Sequence, residues 1–540
     1  MLKILPGMWW TAVIILLLFN VAAMPWIRMQ RVSADDAPPR AAPPETAEPS
    51  YPDLAANDEP LPRVNGPRVV GATPGREFIY RIPATGAPPL TYTVTDLPAG
   101  LTFDATTGII RGKLEKAGTT SVAVTVRNRQ GTARATLRIV AGNNKLALTP
   151  PMGWNSWNVW GPKVSDEKIR AAAEALERTG LAACGYRYVC VDDGWQGRRT
   201  PDGAMQPNER FPDMKALGDA LHAKGFLFGM YTSPGPFTCG RYVGSWRHEE
   251  ADAQLYARWG VDYLKHDWCS YEGIARQKTP EALQQPYAVM RAALDKTDRD
   301  MIYAICQYGL GEVWTWARTP TVGGNLWRTT GDIEDTWESV SSIGFRHSPL
   351  AGFAGPGGWN DPDMLVVGVV GWGEQTRRTR LTPDEQITHM TLWALLAAPL
   401  MLGCDLTQLD EFTRRLLTNP EVIAIDQDEL GRAATRRDAA NDGTEVWARP
   451  LADGCLAVGL FNRGDAMQTV TAYWKDLGIR GRRTVRDVWQ RRDVGSFDER
   501  FAALIPPHGA RLIVVGASRP VRPHPAKPAK VVSPPSPGLR

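Results

Sequence analysis

Acidic residues recur in this chain at one kind of position, just past short apolar runs. Asp192 and Asp193 follow the run 186–191, Asp267 follows 261–266, Asp332 comes soon after 325–329, and Asp361 and Asp363 follow 357–360. Lys265, Gln307 and Arg328 stand among them, with Trp157 after the first run and Tyr231 ending the third. Many carboxylates and few histidines fit glycoside hydrolysis, in which two carboxyl groups flank one C–O bond, better than a Ser-His-Asp triad. Taken singly, Asp192 could cap a helix, Lys265 and Asp267 could form a structural ion pair, and Asp332 could be a surface loop residue. Recurrence at the same end of run after run is what a shared site requires.

One competing chemistry is a metal-dependent hydrolase, because His266-Asp267 is an HD dipeptide among acids. The other six histidines lie away from these runs, and no HxH or HExxH spacing occurs. A second competitor is a carbohydrate-binding protein that has the pocket without turnover.

Something must bring these scattered positions together. Eight apolar runs (151–156, 186–191, 226–231, 261–266, 301–306, 325–329, 357–360 and 400–404) alternate with helical stretches, the pattern of parallel strands with crossover helices. Ile169, Ala172, Ala173 and Leu176 fall on one helical face, and Gly180 ends that helix. Thr382, Pro383 and Glu385 spell a capping box with proline at the first helical position. Eight strand-helix units over 146–430 predict a (β/α)8 barrel, whose strand C-termini converge on one rim.

The flanks read differently. Residues 67–142 alternate in short strands between Gly, Pro and Asp turns, with neither Cys nor Trp, and predict a small β-sandwich. Its PPLTYTV, LPAGLTFD and TTGIIRG phrases resemble the immunoglobulin-like or cadherin-like modules of bacterial secreted proteins, which implies a spacer or adhesion role. Residues 431–516 return to strands (445–448, 455–461, 468–473, 501–505, 510–515) and predict a second all-β domain that supports the barrel. Residues 33–66, with eight prolines and seven acids, read as an extended tether, and the basic tail 517–540 reads as solvated. The apolar stretch in 1–32 reads as a signal peptide or membrane anchor, so the expectation is export from the cytoplasm, with a possible membrane tether.

Composition narrows the partners. The net charge of +4 depends on five tail cations, and the remainder sums to −1, which argues against nucleic acid. Tryptophan, at 20 residues, outnumbers both tyrosine (14) and phenylalanine (13), and large aromatic faces suit sugar C–H surfaces.

In chain order, MGWNSWN (152–158), VDDGW (191–195), YLKHDWC (263–269), CQYG (306–309), RTTGD (328–332) and GPGGWNDPDML (355–365) resemble the successive motifs of glycoside hydrolase family 27, the α-galactosidase and α-N-acetylgalactosaminidase family. The likeness runs from about 146 to 515. It implies a barrel followed by a β-sandwich, and retaining hydrolysis of terminal α-galactosides in oligo- or polysaccharides, without a metal or organic cofactor. By motif, Asp267 is the expected nucleophile and Asp332 the general acid/base. Asp192 and Asp193 are expected at O4 and O6, Lys265 near O3 and O4, Arg328 and Asp363 near O2 and O3, with Trp157 as an apolar wall and Tyr231 and Gln307 completing the binding set.

The chemistry further predicts Asp267 kept ionised by Lys265, Asp332 raised roughly two units above its ordinary value of about 3.9, and carboxyls about 5 to 5.5 Å apart. The resemblance also pairs Cys239 with Cys269, leaving Cys184, Cys190, Cys306, Cys404 and Cys455 outside that bridge. Gln307 stands where many members carry an acid or another selector, so preference at the sugar's C2 stays open. α-N-Acetylgalactosaminidase and β-L-arabinopyranosidase activities are alternatives on the same scaffold.

Overall fold

The computed structural model describes residues 54–439 and 442–517. The signal or anchor segment 1–32, the first part of the tether and the tail from 518 lie outside the described residues.

All eight expected barrel strands form. They are β1 Met152–Asn155, β2 Tyr188–Val191, β3 Leu227–Thr232, β4 Val261–His266, β5 Ile302–Ile305, β6 Leu326–Arg328, β7 Trp359–Asp361 and β8 Leu400–Leu402. Every pairing is parallel, in the order β7-β6-β5-β4-β3-β2-β1-β8. Closure comes just past β7, where Leu365 bridges Leu402: Leu365 N–H donates to Met401 O at 2.8 Å, and Gly403 N–H donates to Leu365 O at 3.0 Å. Both faces of such a sheet are covered, which explains why β2, β3 and β5 are buried at every residue.

The helices form where their end signals stand. Asp166–Arg178 is capped by the Ser165 side chain and buries Ile169, Ala172, Ala173 and Leu176 against the strands. Pro383–Leu396 opens with the capping box of Thr382 and Glu385 and is buried from Glu385 to Leu396. Burial on all sides follows from its place between the barrel and the C-terminal domain. Arg449 donates to Ala394 O at 2.8 Å, Thr388 donates to His508 O at 2.6 Å, and Trp393 Nε1 donates to Asp363 O at 2.7 Å. The C-terminal domain thus supports a helix that itself pins the backbone of an expected site residue.

That domain has a six-stranded antiparallel sheet and a two-stranded one. Arg483–Asp487, Arg492–Phe497 and Thr435–Ala439 are strands in addition to those expected. Their arginine-rich sequences hide the alternation, because long polar side chains cover partly buried faces.

Residues 63–141 form three sheets, of four, three and two strands, around Phe78, Tyr80, Ile110, Val122, Val124 and Val126. The tether expectation needs shortening, since residues from 54 onward are docked. Leu54 is buried, Asn57 donates to Arg415 O at 3.0 Å, and Arg63–Val64 pairs with Ala84–Thr85. Composition cannot show this, because an extended proline-rich chain can still fill a groove that other elements make.

Candidate active site

The strand ends line one pocket. Trp157, Asp192, Asp193, Tyr231, Lys265, Asp267, Arg328, Asp332 and Asp363 line it, so nine of the ten residues expected for catalysis or binding meet in one place. Alternation along β4 explains why Lys265 and Asp267 face inward while His266 does not. His266 is buried on the other face with Nδ1 at 2.7 Å from the Tyr303 hydroxyl, and burial pushes its pKa down to about 3. The HD dipeptide is therefore split between two faces of one strand.

Two carboxylates follow β2 because Gly194 turns the chain there. It adopts φ 110°, and a Cβ would sit 2.7 Å from Pro162 O. Asp192 is fully engaged, accepting from Lys265 Nζ and Asn155 Nδ2 at 2.8 Å each and from Asp193 N–H at 2.8 Å. Asp193 accepts from Gly240 N–H at 2.6 Å on Oδ2, whereas its buried Oδ1 has no hydrogen-bond partner among the described residues. Burial pushes its carboxyl up to about 6. An acceptor taken out of water and left unpaired costs about 1–3 kcal/mol, which a hydroxyl in the pocket would recover.

Asp267 is 4% exposed, and its Oδ1 accepts from Trp268 N–H at 2.9 Å and from the Tyr308 hydroxyl. Burial pushes its pKa up, against the opposing Lys265 charge and the Tyr308 hydrogen bond. Lys265 makes its close ion pair with Asp192, so its help to Asp267 acts at longer range. The Asp332 side chain is 67% exposed and accepts from Arg328 at 3.0 Å; the same guanidinium nitrogen reaches Asp363 at 2.9 Å. The pocket walls push Asp332 up, but the charges of Arg328 and Lys265 outweigh them and hold it below the ordinary carboxylate range. Both directions reverse the expectation. The cause is placement: Arg328 points at Asp332, and Lys265 at Asp192.

Gln307 is the residue that does not join the site. It is buried behind β5, with Nε2 donating to Leu283 O at 2.8 Å, and it does not line the pocket. Strand alternation continues past β5 and turns Cys306 inward and Gln307 outward. Tyr308, at φ 61°, then folds back over the pocket. Sequence reasoning also missed Trp372, Met364, Ile333 and Asn158 as pocket walls. Asn158 and Met364 sit within the quoted motifs, whereas Trp372 lies in a loop with no strand-end signal.

Cys239 and Cys269 form a disulfide with Cα atoms 5.1 Å apart, tying the loop after β3 to the loop after β4. Tyr231 donates to Cys239 Sγ at 3.2 Å, and the Tyr308 hydroxyl lies 3.5 Å from Cys269 Sγ. Cys184, Cys190, Cys306 and Cys404 are buried thiols outside any disulfide.

Residues 149–428 match the family model described as Alpha galactosidase A, and residues 441–515 match that of the α-galactosidase C-terminal β-sandwich domain. An α-galactosidase of Cyamopsis tetragonoloba is 42% identical over 70% of this chain and 89% of its own length. The chain belongs to the α-galactosidase family, glycoside hydrolase family 27. A family structure from Bacteroides fragilis, a candidate α-galactosidase/melibiase, is 37% identical with a TM-score of 0.80 and covers 85% of this chain and 98% of that one. A β-L-arabinopyranosidase of the family from Geobacillus stearothermophilus, solved with arabinose, is 28% identical with a TM-score of 0.62, over 69% of this chain and 98% of that one. Residues 61–141, ahead of the family's own two domains, match an Ig-domain model.

Proposed function

We propose that the chain is a retaining exo-α-galactosidase in which Asp267 is the nucleophile and Asp332 the general acid/base. One observation carries the reading: two carboxyls line one pocket in unlike surroundings, Asp267 buried under two donors and Asp332 exposed on an arginine. With Oδ1 of Asp267 held by Trp268 and Tyr308, Oδ2 is the oxygen that attacks the anomeric carbon. The bond to the leaving oxygen breaks as Asp332 delivers a proton to it, a step worth roughly 10²- to 10⁴-fold. A seated galactoside shields Asp332 from water, which raises its proton affinity toward that role. Formation of the glycosyl-enzyme removes the Asp267 charge, and Asp332, now ionised, takes a proton from the water that attacks the anomeric carbon and restores the enzyme.

Substrate choice follows from the Asp192, Asp193 and Lys265 cluster. The unpaired Asp193 Oδ1 is an acceptor for a sugar hydroxyl, and an epimer with O4 misplaced leaves buried charges without partners. Two carboxylates on the O4 and O6 side favour galactose over L-arabinopyranose, which lacks the C6 group. Saccharides with terminal α-galactosyl residues are the partners this implies. The disulfide beside Asp267 fits an oxidising compartment outside the cytoplasm, which cell fractionation would test.

The deciding experiment compares kcat/KM on p-nitrophenyl α-galactoside, α-N-acetylgalactosaminide and β-L-arabinopyranoside, with the first product anomer read by NMR. Preference for the first substrate and release of α-galactose support the reading. Preference for the third overturns the substrate but not the mechanism, and β-galactose as the first product overturns retention and with it the short carboxyl separation.

A further inference from the structure

The Ig-like module is strongly basic, with ten Lys and Arg against four Asp and Glu between 67 and 142, while the chain as a whole carries only +4. Its cations divide by position. Arg76, Arg81 and Arg111 face the N-terminal end of the barrel and are used there. Arg76 meets Asp300 at 3.2 Å, Arg81 meets Glu177 at 2.9 Å, and Arg111 donates to His222 O at 2.6 Å. Arg68 and Arg138 border a cleft against barrel residues 420–429, whereas Arg127, Arg129 and Arg134 stand exposed on the hairpin.

The long hairpin of Gly118–Asn128 and Gly131–Ala141 buries Val122, Val124, Val126, Leu137 and Ile139 on one face. Alternation puts Arg127, Arg134 and Arg138 on the opposite, exposed face, and Arg129 at the turn. Cross-strand neighbours there are hydroxyl residues: Arg127 sits opposite Thr132, Arg134 opposite Thr125 and Arg138 opposite Ser121. The adjoining edge strand Thr91–Thr95 adds three more exposed threonines in register. The four strands themselves carry no acidic residue, and the nearest in sequence, Asp96 just past the edge strand, accepts from Thr95 at 3.0 Å. Arg138 has one outside partner, Glu429 at 2.9 Å, across a half-exposed contact worth at most about 1 kcal/mol.

We propose that this face binds a linear anionic polysaccharide. A sheet of arginine forks among hydroxyl groups matches a chain of sugar carboxylates and hydroxyls, since Arg presents paired N–H donors to carboxylate and Thr both donates and accepts. The cations in contact with the barrel set the module's position, and those facing out supply the charge complementarity. The module packs on the barrel end away from the catalytic pocket, so the polymer would hold the enzyme without competing for the site.

The test is affinity electrophoresis of the full chain in gels containing sodium polygalacturonate, with neutral galactomannan as the parallel matrix and a duplex DNA oligonucleotide as competitor. The wild type should be retarded by polygalacturonate, and R127S/R134S should lose at least tenfold in apparent affinity while hydrolysing p-nitrophenyl α-galactoside at the wild-type rate. R127K/R134K should keep most of the retardation. Four outcomes would overturn the proposal: no retardation of the wild type, equal retardation of the double serine variant, equal retardation by galactomannan, or displacement by DNA at lower charge concentration than by free polygalacturonate. None of them touches the pocket, so the catalytic reading stands or falls separately.

Discussion

Two clusters of buried charge, one around Asp262 at the N-terminal end of the barrel and one around Asp193 at the C-terminal end, are used in opposite ways. At the N-terminal end, Asp262 meets Arg299 at 2.6 Å, His222 at 2.7 Å and Phe228 N–H at 2.8 Å. Burial pushes this carboxyl up, but Arg299 and His222 overcome it and hold the group below its ordinary value of 3.8. At the C-terminal end, Asp193 keeps an unpaired oxygen, and Asp193 and Asp361 are each pushed up to about 6 by burial. The Asp262 cluster satisfies its charges and gains stability from them. The other leaves them partly unsatisfied, a cost a substrate can relieve, as expected where stability is given up for function.

The contrast can be broken experimentally, and the largest effect is expected at the proposed nucleophile. Asp267→Asn should lower kcat by on the order of 10⁴-fold or more, while galactose still raises the melting temperature; near-wild-type turnover would remove Asp267 from its role. Asp193→Asn should cut kcat/KM by about 10²-fold and yet stabilise the protein at pH 7 by up to about 3 kcal/mol, read by denaturant unfolding. The sign follows from linkage: a carboxyl with a raised folded-state pKa costs stability as pH rises from about 4 through 6, so the gain should vanish near pH 4.

Asp262→Asn should do the reverse. It should lose about 3 kcal/mol of stability at pH 7 through an unpaired Arg299, with kcat/KM unchanged. Because the Asp262 pKa is depressed, its contribution is present above about pH 4 and fades as pH falls through the folded value. If both variants moved stability in the same direction at pH 7, the distinction between the two ends would fail. The smallest change is Tyr308→Phe, which removes a donor from Asp267. A roughly tenfold drop in kcat/KM and an upward move of its acidic limb are expected, whereas a flat profile would make Tyr308 a wall only.

How much was legible follows the same division. Strands, capping boxes and inward-facing acids could be read because each depends on a local repeat, two residues in a strand and 3.6 in a helix. Gln307 failed for an instructive reason. Its motif pointed to the site, but alternation past β5 turned it behind the strand, and a left-handed residue put Tyr308 in its place. Trp372 was unreadable because its loop has no period to follow. The proton affinities of Asp267 and Asp332 were assigned by the needs of the reaction, whereas the free pocket sets them by burial and by where Arg328 points.

Residue order alone determined the eight-fold strand-helix alternation and the family motifs, and singled out Asp267 and Asp332 as the candidate pair, since these are written in local spacing and type. Only the folded chain decided which neighbour each charge meets: Lys265 with Asp192, Arg328 between Asp332 and Asp363, and the module's arginines divided between barrel and solvent. The reason is physical. Spacing along a strand dictates the face a side chain takes, but the energy of a charge depends on partners brought close from distant parts of the chain and on the water they exclude.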